Sequence, residues 1–187
     1  MESLDEVLLE ADDKMTKSLE VLHQQFAGLR TGKASPSLVE NITVSHYGTT
    51  LRLREIAGIS TPEPRLIVIN PYDPTALQPI EKAIVAANIG ITPLSDGRVI
   101  RLPIPELSEE RRREMAKVAK QMAEKCRVAI RSVRQEANEQ IKTLQKKGII
   151  TEDERDQGLK DIQKYTDDSV KKVDQAYESK EKEMMTV

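Results

Sequence analysis

All nine prolines of this 187-residue chain lie in one internal segment, between Pro36 and Pro105. Residues 1–30 and 106–187 contain no proline. A proline inside a helix costs about 3 kcal/mol, so the two proline-free flanks can form long helices and the segment between them cannot. The proline distribution therefore predicts a helical protein that is interrupted by an inserted domain over residues 31–105.

Both flanks place apolar residues at the three- and four-residue steps that are typical of amphipathic helices. In the first flank these residues are Leu4, Leu8, Ala11, Met15, Leu19, Leu22, Phe26 and Leu29. In the second flank they are Met115, Val118, Met122, Cys126, Ile130, Val133, Ala137, Ile141 and Leu144. A third stripe is formed by Leu159, Ile162, Val170, Val173 and Tyr177. Three helices with one apolar face each predict a long antiparallel three-helix bundle over residues 1–30 and 106–187.

Local signals indicate where two of these helices begin and end. Ser108 is a suitable N-cap for the second helix. That helix is expected to end at Lys146-Lys147-Gly148, because a glycine can adopt the left-handed conformation that terminates helices. Thr151 and Glu154 predict a capping box at the start of the third helix.

The inserted segment has the pattern of a small α/β domain. Strand-like sequence covers residues 41–47, 49–54, 66–69 and 99–102. Pro79 suits the first position of a helix that ends near Asn88. Short connections near Arg30-Thr31 and Ile104-Pro105 join this domain to the bundle. The predicted fold class is α+β, a three-helix bundle with one inserted α/β domain.

The composition excludes several classes of protein. Charged residues make up 32% of the chain with a net charge of −2, which argues against disorder and against a membrane-embedded chain. The single cysteine, Cys126, cannot form an internal disulfide and fits a reducing compartment. The first residues are acidic and helical in pattern, which is unlike a secretory signal or transit peptide. We therefore expect a cytoplasmic protein without a membrane partner.

Charge is distributed unevenly among the three predicted helices. Residues 106–147 have a net charge of +5, whereas residues 1–30 and 148–187 each have a net charge of −4. Basic residues recur along the second helix at three- and four-residue steps: Arg113, Lys117, Lys120, Arg127, Arg131 and Arg134. The pattern places this stripe about 130° from the apolar one, so it faces outward.

Two interpretations of the basic stripe remain open. It can be a solvated face that pairs with the acidic helices, or it can bind a nucleic-acid backbone. Four of the six residues are arginines, whose planar guanidinium groups suit phosphates. The chain has only five aromatic residues, too few for a platform that stacks single-stranded bases. Structured RNA that is recognised through its phosphates and shape is the better candidate, and DNA is not expected.

The sequence offers little for catalysis, and we expect neither enzyme activity nor a bound metal or cofactor. His23 and His46 fall in different predicted domains, without neighbours at metal-ligand spacing. Cys126 continues an apolar stripe and is expected to be a buried small hydrophobe. A glycine-containing stretch over residues 28–35 resembles a phosphate-binding loop, but its spacing is wrong and it follows a helix.

Six segments, in the same order, resemble the bacterial ribosome recycling factor family along nearly the whole chain. They are Leu29-Arg30-Thr31-Gly32-Lys33-Ala34-Ser35-Pro36, Pro71-Tyr72-Asp73, Ile80-Glu81-Lys82-Ala83-Ile84, Arg101-Leu102-Pro103-Ile104-Pro105, Ser108-Glu109-Glu110-Arg111-Arg112 and Arg127-Val128-Ala129-Ile130-Arg131-Ser132-Val133-Arg134. The resemblance implies an L-shaped, two-domain translation factor. Such a factor binds the large ribosomal subunit after termination and splits the ribosome together with elongation factor G and GTP.

The resemblance also implies roles for individual residues. Arg131 and Arg134 are similar to the arginines that face ribosomal RNA, and weaker candidates are Arg127, Lys117, Lys120 and Arg113. The two domains are expected to pivot at the two connections, which contain Arg30, Thr31, Gly32, Pro103, Ile104 and Pro105. The inserted domain is expected to face elongation factor G, and the chain is expected to be a monomer.

The residues alone leave two other function classes. A chaperone-like helical protein would need a conspicuous exposed apolar groove, and the sequence shows ordinary core stripes instead. A nucleotide-dependent enzyme would need a phosphate-binding loop, which the spacing over residues 28–35 argues against.

Overall fold

The computed structural model describes residues 3–186, and its contacts divide this part of the chain into two compact units. The first unit runs to Leu29 and resumes over Arg113–Thr186, and the second is Arg30–Arg112. We call them the helical unit and the sheet unit. Met1 and Glu2, which the sequence assigns to the bundle, lie outside the described residues, as does Val187.

The elements of both units follow one another in a simple order. The helices are α1 (Leu4–Ala27), α2 (Leu53–Ile56), α3 (Leu77–Ala86), α4 (Glu109–Lys146) and α5 (Glu152–Met185). The strands are β1 (Thr43–His46), β2 (Thr49–Arg52), β3 (Ala57–Glu63), β4 (Leu66–Pro71), β5 (Leu94–Ser95) and β6 (Ile100–Pro103). Two short 3₁₀ turns cover Pro36–Leu38 and Pro74–Ala76.

Helices α1, α4 and α5 form a bundle, which confirms the predicted fold class. The carbonyl of Ser18 accepts a hydrogen bond from the Cys126 thiol at 3.4 Å, and Lys14 contacts Glu136 at 3.1 Å. Later residues of α1 therefore lie beside earlier residues of α4, so these two helices are antiparallel. The short connection over residues 147–151 turns α5 back along α4.

The first half of α4 packs with a different set of residues from the predicted one. Ala119 and Ala123 are fully buried, whereas the predicted core residues Val118 and Met122 are only half-buried. Small side chains allow helix backbones to approach closely, so this part of α4 is turned toward its alanines. The second half follows the prediction, with the core residues Ile130, Ala137, Ile141 and Leu144.

The predicted helix ends are confirmed. The Ser108 hydroxyl accepts a hydrogen bond from the N–H of Arg111 at 3.3 Å, and Thr151 and Glu154 make both bonds of the capping box. At the end of α4, Gly148 has a φ of +73° and its N–H bonds back into the last turn. This is the left-handed termination that the sequence predicts.

The sheet unit contains a four-stranded antiparallel sheet in the order β3-β4-β6-β5 and a separate β1-β2 hairpin. Alternate residues of β4 and β6 point into its core, so Ile67 and Ile69 are buried together with Ile100 and Leu102. Helix α3 adds Ile80 and Ile84 to the same cluster. This unit therefore has an apolar core of its own.

Several details of the sheet unit differ from the prediction. Helix α3 begins at Leu77, so Pro79 is its third residue and not its first. This is tolerated because the first-turn N–H groups of a helix have no partner within it. Strands β3 and β5 were not predicted. Strand β3 contains Gly58 and Pro62, which are unfavourable in strands, and β5 has only two residues. The hairpin strands are shorter than the predicted stretches.

Two glycines at helix ends offer a matched test of the α4 terminus. Gly148→Ala is expected to lower the free energy of unfolding of the bundle by about 1 kcal/mol, because alanine is strained at positive φ. Gly28→Ala is the control, since Gly28 has an ordinary φ of −79° and room for a methyl group. Denaturant unfolding followed by circular dichroism measures both. Equal stability of the two variants would contradict this account of the helix end.

Candidate nucleic-acid interface

The six basic residues predicted on α4 fall into two groups. Arg113, Lys117, Lys120 and Arg131 are exposed, whereas Arg127 and Arg134 are half-buried. At about 100° per residue, the centre of all six lies about 95° from the buried side of α4, closer than predicted. The difference arises because the first half of α4 is turned toward its alanines. We call the four exposed residues the basic face.

Arg127 is engaged in contacts within the bundle. Its Nε and Nη2 donate to one carboxylate oxygen of Asp174 on α5, at 3.0 and 2.7 Å, and its Nη1 donates to Glu124 at 3.1 Å. Only 18% of the side chain is exposed. Partial burial opposes the charge, but the bonds to Asp174 and Glu124 raise the pKa of Arg127 above its ordinary value. Arg127 thus joins α4 to α5.

Arg134 lies on the same edge of the stripe. Its Nη1 donates to the amide oxygen of Gln163 on α5 at 3.4 Å, a long and neutral contact. The contact with Gln163 directs one end of the guanidinium without placing a carboxylate against it. Sequence periodicity could not identify Asp174 and Gln163 as partners, because the register between two helices is not contained in either one alone.

Three residues of the basic face are unpaired or only weakly paired among the described residues: Lys117, Lys120 and Arg131. Arg131 has 55% of its side chain exposed and makes one 3.4 Å contact with Glu124. Within residues 3–186, Lys117 and Lys120 have no ion-pair or hydrogen-bond partner for their ammonium groups. Lys142 continues the same side of the helix three turns beyond Arg131, and its i,i+3 contact with Glu139 is 3.5 Å long. The position of Lys142 on this side of α4 could have been found from its spacing in the sequence.

These contacts divide the stripe between its two interpretations. The paired-face interpretation describes Arg127, which is held by acidic residues of the bundle. It does not describe Lys117 and Lys120, which have no acidic partner in the described part of the chain. Two unpaired lysines and the weakly paired Arg131 on one side of a rigid helix raise the local positive potential and attract polyanions. The exposed group is therefore the candidate site for a phosphate backbone.

The residues predicted to form the hinge lie at one place in the sheet unit. Arg30, Thr31 and Gly32 line one pocket together with Ile104 and Pro105. The Ile104 N–H donates to the Arg65 carbonyl at 2.8 Å, and Pro103 is the last residue of β6. The chain is thus tied to the sheet up to Ile104. A hinge role for these residues stays a prediction.

The other side chains that could act as nucleophiles or metal ligands have structural roles. Cys126 is buried, which raises the pKa of its thiol and makes it a poor nucleophile. His46 lies 3.6 Å from the Asp73 carboxylate and packs against the Tyr47 ring. Among the described residues, no group of three His, Cys, Asp or Glu side chains could hold a metal ion.

Over the described part of the chain, every helix is either too short or too polar to cross a bilayer.

The Arg127–Asp174 pair is expected to stabilise the bundle. A double-mutant cycle with Arg127→Gln and Asp174→Asn should give a coupling energy of about 0.5–1.5 kcal/mol, because two donors of a partly buried guanidinium share one carboxylate oxygen. Lys125→Gln removes an exposed cation from the same helix and should leave stability unchanged within about 0.5 kcal/mol. Denaturant unfolding measures each variant. A coupling energy near zero would mean that the contact contributes nothing to stability.

Comparison with known proteins identifies a family whose members are similar to this chain. The family model described as ribosome recycling factor matches residues 22–185. The ribosome-recycling factor of Carboxydothermus hydrogenoformans is 48% identical over 184 residues, which cover 98% of this chain and 100% of that protein.

Solved structures agree with the sequence comparison. A solution structure of the ribosome recycling factor matches with a TM-score of 0.82 at 39% identity and covers 100% of both chains. A second match, with a TM-score of 0.69 at 42% identity, covers 98% of this chain and 99% of its counterpart. That counterpart is the T. thermophilus ribosome recycling factor, described with E. coli elongation factor G bound to the E. coli post-termination complex. The present chain belongs to the ribosome recycling factor family.

Proposed function

We propose that this chain binds the large ribosomal subunit after termination through the basic face of α4. Together with elongation factor G and GTP, it then helps to split the ribosome into subunits for reuse. The chain contributes binding energy and shape, and elongation factor G hydrolyses the nucleotide. On this proposal it acts in the cytoplasm as a monomer and needs neither a metal nor a cofactor.

The observation that carries the proposal is a set of three exposed cations on one side of α4, of which two are unpaired among the described residues and one is weakly paired. Lys117 and Lys120 lie on successive turns of α4 and have no acidic partner within the described residues, and Arg131 lies about three turns further along the same side. Ribosomal RNA presents a dense array of phosphates to such a row. Arg134 extends the contact along the α5 side, where Gln163 directs its guanidinium. Arg127 has a mainly structural role, because both of its ion-pair partners belong to the bundle.

The second part of the proposal concerns the role of the sheet unit. A related factor is described with elongation factor G on the post-termination complex, and we assign the contact with that partner to the sheet unit. Support comes from its separate core, which lets it act as a body distinct from the RNA-binding bundle. The connections that contain Arg30–Gly32 and Pro103–Pro105 would permit movement between the two.

Charge reversal on α4 tests the RNA contact. Arg131→Glu and Arg134→Glu should each weaken binding to purified E. coli large subunits by about 1–3 kcal/mol, because each replaces a charged hydrogen bond to phosphate with repulsion. Lys125→Glu is the matched control, since it makes the same change in charge on another side of α4. Co-sedimentation at two salt concentrations measures affinity, and melting temperature reports folding. Unchanged affinity in the double variant would contradict the proposed interface.

Removal of the sheet unit tests whether the helical unit alone binds large subunits and whether the sheet unit is needed for splitting. Replacement of residues 32–104 by a short Gly/Ser linker should leave a cooperatively melting bundle that still binds large subunits, because the helical unit has its own core. Subunit splitting with elongation factor G should be lost, in a reconstituted system in which the full chain is active. An unfolded product would show that the units depend on each other. A folded product that still splits ribosomes would show that the sheet unit has another role.

A further inference from the structure

Glu124 is the one acidic side chain on the basic side of α4 between Arg113 and Arg134. It lies at the step of the helical repeat where the row of basic residues is interrupted, between Lys120 and Arg127. Its carboxylate contacts two arginines at once: Oε2 is 3.1 Å from Arg127 and Oε1 is 3.4 Å from Arg131. A phosphate that approaches Arg131 therefore meets a carboxylate beside it.

This carboxylate is not needed to position Arg127. Asp174 already holds that guanidinium through two nitrogens, at 3.0 and 2.7 Å. Removal of Glu124 would leave this arrangement in place. The contact between Glu124 and Arg127 is therefore redundant for the structure of the bundle.

Nor does Glu124 hold Arg131 firmly. The contact is a single nitrogen–oxygen distance of 3.4 Å, and both side chains are more than half exposed, at 55% and 53%. Exposed ion pairs of this kind fix geometry poorly and contribute little to stability. The main effect of Glu124 on an approaching ligand is thus electrostatic. It repels phosphate and partly neutralises the arginine that phosphate would bind.

We propose that Glu124 is an attenuator of RNA affinity, which keeps the basic face from binding ribosomal RNA too tightly to be released. This inference rests on the proposed function, since it assumes that the ligand of the basic face is RNA. A factor that acts repeatedly must leave the large subunit after each round. A negative charge at the centre of its binding surface raises the dissociation rate without removing any of the cationic contacts.

Isosteric neutralisation provides the test. Glu124→Gln in the full chain should bind purified E. coli large subunits about three- to tenfold more tightly at low ionic strength, mainly through slower dissociation. The gain should shrink as salt is raised, because salt screens the repulsion. Glu124→Lys should increase affinity further, since it completes the row of cations. Circular dichroism should show unchanged melting for both variants, because the side chain is exposed on a helix.

Glu136→Gln is the matched control. Glu136 lies on the same helix and undergoes the same change in charge, but it faces α1 and contacts Lys14 at 3.1 Å. The affinity of the Glu136→Gln variant for large subunits should equal that of the unmodified chain. A similar gain in Glu136→Gln would mean that net charge alone matters, and it would overturn the assignment to Glu124. Unchanged or weaker binding of both Glu124 variants would overturn it as well, and weaker binding would identify Glu124 as an organiser of the arginines.

The Arg131→Glu variant separates this inference from the proposed function. If it loses affinity while the Glu124 variants gain none, the RNA interface stands and the attenuator is wrong. If it keeps full affinity, the interface itself is wrong, and the attenuator falls with it.

Discussion

The rotation of α4 about its own axis is the constraint on which the rest of this structure depends. Ala119 and Ala123 are fully buried, and their small side chains let α4 approach the neighbouring helices closely on this side. Because this side of α4 faces the core, the position of each basic residue on the helix decides its surroundings. Those nearest the core reach α5, and those farther away face solvent. A rotation by one residue, about 100°, would bury cations that have no partner.

The charges of the bundle serve two different ends. Where a cation lies at the edge of the core, as Arg127 does, an acidic residue of α5 neutralises it and the pair joins two helices. Where cations lie outside that edge, as Lys117 and Lys120 do, they have no partner in the described part of the chain. The near-zero net charge of the whole chain therefore conceals a strongly polarised bundle. We propose that the basic face is the side of this bundle that binds RNA.

Much of the fold could be predicted from the sequence, because proline placement, apolar periodicity and caps are local signals. The packing of α4 could not: hydrophobicity favours Val118 for the core, whereas close approach of helices favours Ala119 and Ala123. The basic stripe on α4 could be recognised in the sequence for similar reasons, and its role in RNA binding stays a prediction. Periodicity identifies a row of cations, but whether each one is free depends on the register between helices, which decides that Asp174 meets Arg127. Strand β3 was missed because it contains Gly58 and Pro62, which are unfavourable in strands.

The most direct test of the central claim is a cryo-electron microscopy reconstruction of this chain on a large ribosomal subunit. The account predicts ribosomal RNA phosphates within about 3–4 Å of the charged groups of Lys117, Lys120 and Arg131. Arg127 should remain paired with Asp174 as it is in the free chain. A complex in which the basic face points to solvent, and RNA contacts another side of the bundle, would contradict the account.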